Sequence, residues 1–329
     1  MGFLSLTRFK QEKQLIMTTA SSGLQGVWVD VLMPLHPDLT LHHGKLVTHI
    51  RTLAVKGIQG VVLFGPAGEG LSFSAAERLE AVKQLITHGI SSRDIVLHAG
   101  FASVSETVHV IQQANAMGLR GCIVRPPRSE DEPTQEGLAH FFNQVANLTR
   151  GISTQLYMAS PYRAGAPDLK PYVVNEVIHQ HPGAYAGLLD QTRNASHMQD
   201  WLRLYSAQLP VYTNDELQAV AMSKLGLHTS VTSWANLIPH VIIGLVSPPA
   251  STKISVAGNA IGTDDGPLLH LARMLAGLPE VPALKYLMSI QYHDADWLRV
   301  RPPLFELLPQ SQENLLKDFK KYFPSGGKP

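Results

Sequence analysis

Three side chains in this sequence have the chemistry needed for proton transfer, and each lies in or at the end of a short apolar run. His98 ends the run IVLH, Tyr157 lies within QLYMAS, and Asp190 ends YAGLLD. A histidine titrates near neutral pH, and a buried carboxylate can act as a general base. We therefore predict Tyr157, Asp190 and His98 as catalytic candidates. The structural alternative for each is a polar group that bonds to a neighbour and fills space in the core.

Three arginines accompany these runs. Arg125 and Arg128 lie in RPPR, and Arg163 lies in SPYRAG. Guanidinium groups bind carboxylate or phosphate in bidentate fashion, so these arginines predict a small anionic ligand. The alternative is that one or two of them pair with carboxylates of the chain itself, for which the candidates are Glu69, Asp190 and Asp215.

The elements that must position these residues repeat along the chain. Runs rich in β-branched and apolar residues alternate with amphipathic segments, which is typical of βα units and a parallel sheet. Helix start signals include Ser74, Ser103 or Ser105, and Asn214-Asp215. The predicted strands begin at eight positions: Gly26, Gly60, Ile95, Gly121, Thr154, Tyr185, Leu209 and His228.

Eight strands alternating with helices predict an α/β fold, a (β/α)8 TIM barrel with additional C-terminal helices. We expect residues 1–22 to form an N-terminal extension, residues 23–240 the barrel, and residues 241–329 a helical segment packed on the barrel. Active sites of such barrels are built from the loops that follow the strands, at the C-terminal face. His98, Arg125, Tyr157 and Asp190 all fall at or near strand ends of this kind.

Composition excludes several classes of function. The 27 basic and 26 acidic residues give a net charge of +1, so no long-range field favours nucleic acid or a membrane surface. The single cysteine, Cys122, permits no intramolecular disulfide. The N-terminal stretch has no apolar core long enough for a signal peptide. We expect a cytoplasmic protein with no nucleic-acid or membrane partner.

Several motifs together resemble the dihydrodipicolinate synthase and N-acetylneuraminate lyase family of class I aldolases. The resemblance spans about residues 24–300. GVVLFGPAGEGLSFSAAER is similar to the Gly-Thr-Thr-Gly-Glu loop of the family and the residues that follow it. LYMASPYRAG is similar to its Tyr-Asn-x-Pro-x-Arg-Thr-Gly stretch, and TQEGLAHFF follows strand four. The resemblance implies a barrel, a pyruvate-type substrate, and a homodimer or homotetramer.

The resemblance also implies a Schiff-base lysine at the end of strand six, where this sequence has Leu189 in GLLDQT. Leucine has no amine and cannot form an imine. The two hydroxyls that bind the keto-acid carboxylate or relay a proton correspond to Pro66 and Ala67, and an aromatic proton relay corresponds to Arg128. Tyr157 and Arg163 match the tyrosine and the arginine of the family. We place Pro66, Ala67 and Leu189 at the substrate-binding site, and we expect classical Schiff-base aldolase activity to be absent.

No cofactor or metal is expected. The histidines at 42, 43, 179 and 181 fall at predicted helix ends, and GPAGEG lacks the lysine of a phosphate-binding loop.

Three functions stay open: an altered lyase acting on a small keto acid or related carboxylate, an inactive barrel that binds a ligand or regulates a partner, and a pyruvate-dependent aldolase with a relocated lysine. Lys285 falls in a predicted helix after the barrel.

Overall fold

The computed structural model describes residues 23–127, 133–160, 169–222, 225, 227, 229–246 and 266–323. Eight parallel strands form a closed barrel in sequential order, with β8 pairing β1. The predicted (β/α)8 barrel is therefore confirmed. The strands are β1 (Gly26–Asp30), β2 (Gly60–Leu63), β3 (Ile95–His98), β4 (Gly121–Val124), β5 (Gln155–Ala159), β6 (Tyr185–Asp190), β7 (Val211–Thr213) and β8 (Thr229–Thr232).

Helices separate the strands, and further helices follow the barrel. Those between strands are α1 (His43–Val55), α2 (Ala75–Thr87), α3 (Val104–Ala116), α4 (Gln135–Leu148), α5 (Pro171–Gln180), α6 (Ala195–Tyr205) and α7 (Glu216–Met222). After β8 come α8 (Pro239–Val246), α9 (Pro267–Leu275), α10 (Glu280–Tyr292) and α11 (Pro309–Tyr322). The predicted extension over residues 1–22 lies outside the described residues.

The helix start signals act as the sequence predicts. Ser74 forms a capping box with Glu77, in which each side chain bonds to the backbone of the other residue. Ser103 caps α3, and its hydroxyl accepts from the backbone N–H of Glu106. Asp215 accepts from the N–H of Gln218 in the first turn of α7. These caps fix where each helix starts and hence how each βα loop leaves the barrel.

Two apolar layers hold the fold. The larger lies between the strands and the surrounding helices. The smaller fills the inside of the barrel, and its members alternate along the strands because successive side chains point to opposite faces. The interior set is Leu24, Trp28, Val62, Val96, Ile123, Tyr157, Ala159, Leu189, Tyr212 and Val231. The barrel is thus a packed core whose C-terminal mouth has an apolar floor.

Candidate functional site

Leu189 is part of this apolar floor. It pairs with Ala159 of β5 and Tyr212 of β7, and it is 1% exposed. The position that resembles the Schiff-base lysine position therefore contributes packing and no nucleophile.

Tyr157 points away from the mouth. Its hydroxyl donates to Oε1 of Gln155, the first residue of β5, at 2.6 Å. Its ring lies over Gly121, the first residue of β4, where a Cβ would meet the ring. The hydroxyl therefore lies at the N-terminal end of the barrel, which corrects the expectation of a proton-relay tyrosine at the mouth. The physical reason is space: two glycines, Gly121 and Gly187, leave room for the ring at that end.

Both carboxylate oxygens of Asp190 have polar partners within the chain. One carboxylate oxygen accepts from the Thr192 N–H at 2.8 Å and the Ser160 hydroxyl at 3.3 Å, and the other lies 3.1 Å from Nδ1 of His197. The residue is 1% exposed. Both oxygens hold the β6–α6 connection together, so the geometry supports the structural alternative and leaves no oxygen of Asp190 directed at a substrate.

The carboxyl group of Asp30, which is not among the predicted site residues, lies at the mouth instead. Asp30 ends β1 and is 4% exposed. Its Oδ2 accepts from the Ala67 N–H at 2.9 Å, so the β2–α2 loop wraps the carboxyl group. Burial raises the pKa of Asp30 to about 7, and the negative charges of Glu280 and Glu216 add to the effect, while the loop N–H groups oppose it.

Glu216 lies close to Asp30 and is similarly buried. Its Oε1 accepts from the Thr232 hydroxyl at 2.6 Å, and from the backbone N–H groups of Ser233 and Trp234. Burial and the charge of Glu280 raise the pKa of Glu216 to about 7. This carboxyl group therefore ties α7 to the end of β8 and adds to the negative potential at the mouth.

An ion pair borders the same region. Arg193, in the loop after β6, has a positive φ of 56° and donates to Oε2 of Glu280 at 2.5 Å. Positive φ is unfavourable for a residue with a side chain and is found at functional sites more often than elsewhere. Oε1 of Glu280 accepts from the Ser233 hydroxyl at 2.8 Å. The pair thus joins α10 to the loops after β6 and β8.

These groups enclose a small cavity of about 10 Å³, the size of a single water-sized group. Within the described part of the chain, Oδ1 of Asp30 and Oδ1 of Asn214 are buried and have no hydrogen-bond partner. The predicted substrate-binding positions Pro66 and Ala67 form one side of it. The cavity is lined by Asp30, Pro66, Ala67, Arg193, Asn214, Val231, Ser233, Glu280 and Val281.

A larger cavity of about 540 Å³ also has Pro66 among its lining residues. His98 and Arg125 both line it, so the structure brings these two predicted residues together. Burial and the charges of Arg125 and Arg78 lower the pKa of His98 well below its usual range, so its imidazole is neutral. Arg128 and Arg163 lie outside the described residues.

Arg78 gives this cavity a fixed positive charge. Its guanidinium donates to the backbone carbonyls of Phe73, Gly70 and His98, and it is 3% exposed. These bonds use three of its five N–H groups, so Arg78 supports the loops and adds positive potential to the cavity that it lines together with Arg125.

Lys285 bears on the relocated-lysine alternative. Its Nζ donates to Oε1 of Glu69 at 2.6 Å, and its side chain is wholly buried. Lys285 is not among the residues that line either of the two cavities described above. In the described ranges, no three His, Cys, Asp or Glu side chains are grouped so as to hold a metal ion. The helices of those ranges include none that is long and apolar enough to cross a membrane.

Asp30, Arg193 and Glu280 were missed by reasoning from sequence, although one signal was available. Asp30 interrupts the apolar alternation of GVWVDVLMP at the C-terminal end of a predicted strand, and that end is where barrel chemistry is located. Glu280 has no such signal, because it begins a helix after the barrel and meets Arg193 only through the fold.

Comparison with known proteins agrees with this architecture. A model of the dihydrodipicolinate synthetase family matches residues 23–322. The 4-hydroxy-tetrahydrodipicolinate synthase of Marinobacter nauticus is 24% identical over 236 residues, which is 72% of this chain and 77% of that protein. A 2-dehydro-3-deoxy-phosphogluconate/2-dehydro-3-deoxy-6-phosphogalactonate aldolase of Saccharolobus solfataricus is 21% identical over 287 residues, 87% of this chain and 92% of that protein.

Among solved structures, dihydrodipicolinate synthase from Agrobacterium tumefaciens has a TM-score of 0.81 and 23% sequence identity, covering 91% of this chain and all of that one. At this identity the structural likeness shows a shared barrel fold. The match of the family model is broader evidence, because it spans the whole barrel and the helices after it. The chain belongs to the dihydrodipicolinate synthetase family.

Proposed function

We propose that this chain is a lyase-type enzyme that acts on a small keto acid or related carboxylate through proton transfer at Asp30, without a Schiff base. One observation carries the proposal: Asp30, a buried carboxyl group at the barrel mouth, lines a small cavity, and one of its oxygens is held by the loop while the other has no hydrogen-bond partner in the described part of the chain. A carboxyl group whose pKa is about 7 is present in both protonation states near neutral pH, which suits general acid–base catalysis.

The carboxylate of the substrate is assigned to the larger cavity. Arg125 supplies the positive charge and the neutral imidazole of His98 supplies a hydrogen-bonding nitrogen. Pro66 borders both cavities, so a substrate held at Arg125 extends across Pro66 toward Asp30. The predicted roles of Arg128 and Arg163 in holding the same anion stay predictions.

Cleavage of a carbon–carbon bond next to a ketone illustrates the chemistry. A base takes the proton of the β-hydroxyl, the electron pair of the breaking bond passes to the ketone oxygen, and the resulting enolate takes up a proton at carbon. Asp30 can accept the first proton and return it in the last step. Arg125 and His98 stabilise the enolate charge that a lysine imine would otherwise absorb. The relatives named as synthase and aldolase support this class of reaction.

The test is turnover of a panel of keto acids, hydroxy acids and sugar acids by the purified protein. Asp30→Asn should lower kcat on the best substrate at least 100-fold, because asparagine keeps the shape but cannot exchange the proton. Asp200→Asn, a surface change on α6, and Tyr157→Phe, at the opposite end of the barrel, should retain kcat within about threefold.

Borohydride treatment with pyruvate, followed by intact-mass measurement, should give no adduct. An adduct on a lysine would replace the proposal with the relocated-lysine aldolase. Full turnover by Asp30→Asn would remove Asp30 from the mechanism. Thermal stabilisation by one anion with no turnover of any compound would favour the ligand-binding barrel.

A further inference from the structure

A separate cavity lies at the opposite end of the barrel from the mouth. Its volume is about 500 Å³, and it lies between the loop that joins α4 to β5 and the loop that joins α5 to β6. Thr154 and Gln155 line it where β5 begins, and Ala184 and Ala186 line it where β6 begins. Small-molecule sites in proteins commonly have volumes of about 300–1,000 Å³, so this space suits a small organic ligand.

Hydrogen bonds within the chain fix both loops. Oδ1 of Asn115, on α3, accepts from the backbone N–H groups of Ser153 and Thr154 at 2.9 and 3.1 Å. In the other loop, the N–H of Ala184 donates to the carbonyl of His181 at 3.1 Å. The cavity is therefore formed before a ligand arrives, and binding there costs little conformational entropy of the loops.

The charged side chains that line the cavity favour an anion. Arg150 and His181 line it, and the lining residues include no aspartate or glutamate. In the described part of the chain, the guanidinium of Arg150 bonds to Oδ1 of Asn147 at 3.1 Å and forms no ion pair with a carboxylate. Most of its five N–H groups are therefore available to a ligand. A cation would meet the charge of Arg150 with no counter-charge beside it, which disfavours its binding.

Two further polar groups can hydrogen-bond to a ligand in this cavity. The imidazole of His181 and Nε2 of Gln155 form no hydrogen bond with other described residues. Oε1 of Gln155 accepts from the Tyr157 hydroxyl at 2.6 Å, which fixes the position of the amide. Apolar residues also line the space, so the ligand should have an apolar body: Ala146, Ile152, Leu156 and Pro182.

The structural explanation for the two basic residues is an effect on helix dipoles. Arg150 and His181 follow the C-terminal ends of α4 and α5, where positive charge offsets the negative end of each helix. This effect accounts for the charge of both side chains, but it does not require a formed cavity beside them. An arginine that acts only on the dipole contributes to stability and not to ligand affinity, so experiment distinguishes the two roles.

We propose that this cavity is a second binding site, which takes a small organic anion with a carboxylate or phosphate group at Arg150 and an apolar body. The site is distinct from the mouth. Strand β5 spans about 13 Å between Gln155 at this end and Ala159 toward the mouth. The packed interior of the barrel fills the space between the two ends. A ligand bound here therefore does not reach the cavities that Asp30 and Arg125 line.

Calorimetry with matched compounds at neutral pH tests the proposal. The probes share a phenyl ring and differ in charge: benzoate and phenyl phosphate are anions, benzamide is neutral, and benzylammonium is a cation. At least one of the two anions should bind about tenfold more tightly than benzamide, because contacts between an arginine and an anion are charge-assisted. Benzylammonium should bind more weakly than benzamide. The tighter of the two anions identifies the ligand group as a carboxylate or a phosphate.

Variants of three arginines locate the binding. Arg150→Gln should weaken the tighter anion about tenfold or more, and the charge reversal Arg150→Glu should abolish its binding. Arg93→Gln is the matched control, because Arg93 is an exposed arginine just before β3, at the same end of the barrel. Its affinity for the anion should stay within about twofold of the parent. Arg125→Gln, which changes the mouth, should also stay within about twofold.

Thermal unfolding of each variant, measured without ligand, separates binding from stability. Arg150→Gln that lowers Tm and keeps the affinity for the anion would assign Arg150 to the helix dipole alone and would overturn the proposal. Equal affinity for the anions and benzamide, or binding of neither anion, would do the same. So would anion binding that is lost in Arg125→Gln and retained in Arg150→Gln, because the anion would then be bound at the mouth.

Discussion

Asp30 combines a buried carboxyl group with a loop that holds only one of its two oxygens. The Ala67 N–H bonds to Oδ2, and Gly65 passes so close that a Cβ there would collide with the carboxyl group. The loop can approach because it has no side chain at Gly65. Together with Glu216, Asp30 therefore gives the mouth two carboxyl groups whose burial opposes ionisation.

The Asp30 pKa predicts how stability varies with pH. The pKa of Asp30 rises from about 4 in the unfolded chain to about 7 in the folded protein, so the folded state binds more protons between these values. The stabilisation is complete below pH 4 and is lost as pH rises to 7. Asp30→Asn should therefore be more stable than the parent at pH 8 by at least about 1 kcal/mol, and should lose this advantage at pH 4.

Urea unfolding at pH 4, 6 and 8 measures the difference. Asp200→Asn serves as the control, because Asp200 is an exposed residue paired only with Arg203 in the described structure. A parallel pH profile for Asp30→Asn and the parent protein would contradict the raised pKa and weaken the case for proton transfer at this residue.

At the scale of elements, helix α10 is fastened to the β2–α2 loop by Glu69. This residue has a φ of 53°, and its carboxylate accepts from Lys285 of α10 and from the backbone N–H of Arg301. Arg301 in turn donates to Glu77 and lies over the ring of Phe73. The contacts bring Glu280, the first residue of α10, to the mouth of the barrel. A segment after the barrel thus completes the site.

Loss of the Lys285 ammonium should lower the stability of the protein, because the carboxylate of Glu69 is buried and pairs with it. Lys285→Met leaves the Glu69 carboxylate without its cation in a dry environment, which should destabilise the protein by about 3–5 kcal/mol. The double variant Lys285→Met/Glu69→Gln should recover part of the loss, because no buried charge remains. Lys317→Met on the surface of α11 is the control. Chemical denaturation measures all four proteins, and a near-neutral effect of Lys285→Met would show that Glu69 has another partner or takes up a proton.

At the scale of the whole molecule, the side chain of Asn236 bonds to the strands that close the barrel and to the backbone of the site residues Asp30 and Ser233. Asn236 follows β8, donates to the carbonyls of Asp30 and Ser233, and accepts from the Leu32 N–H and Nε2 of His49. It therefore clamps β1 to β8, the first strand to the last. Burial lowers the pKa of His49 to about 4, so its ring is neutral at physiological pH.

Asn236→Leu should destabilise the whole fold. The change leaves several buried polar groups unpaired and should cost about 3 kcal/mol or more. Because the carbonyls of both Asp30 and Ser233 are held by this side chain, the folded fraction should also show a lower kcat on the best substrate. Asn314→Ala, an exposed change on α11, should alter neither property. Unfolding and turnover assays on the same samples separate the two effects, and an unchanged kcat of the folded fraction would limit Asn236 to closure of the barrel.

The sequence by itself determined the architecture and the lack of an imine-forming side chain at one position. The alternation of apolar runs and capped helices sets eight βα units, and Leu189 has no amine that could form an imine at its own position, whatever surrounds it. Inward and outward positions along each strand also follow from the period of two. These features are local, so they can be deduced without the fold.

Only the tertiary structure decided what occupies the mouth. Tyr157 faces the barrel interior, but which end its hydroxyl reaches depends on the space above Gly121 and Gly187, on other strands. Asp190 follows a strand, yet Ser160 and His197 occupy its oxygens. Asp30, Arg193 and Glu280 are far apart along the chain and meet because closure of the barrel and the packing of α10 bring them together. The free energy of a buried polar group depends on such distant partners, which local sequence does not specify.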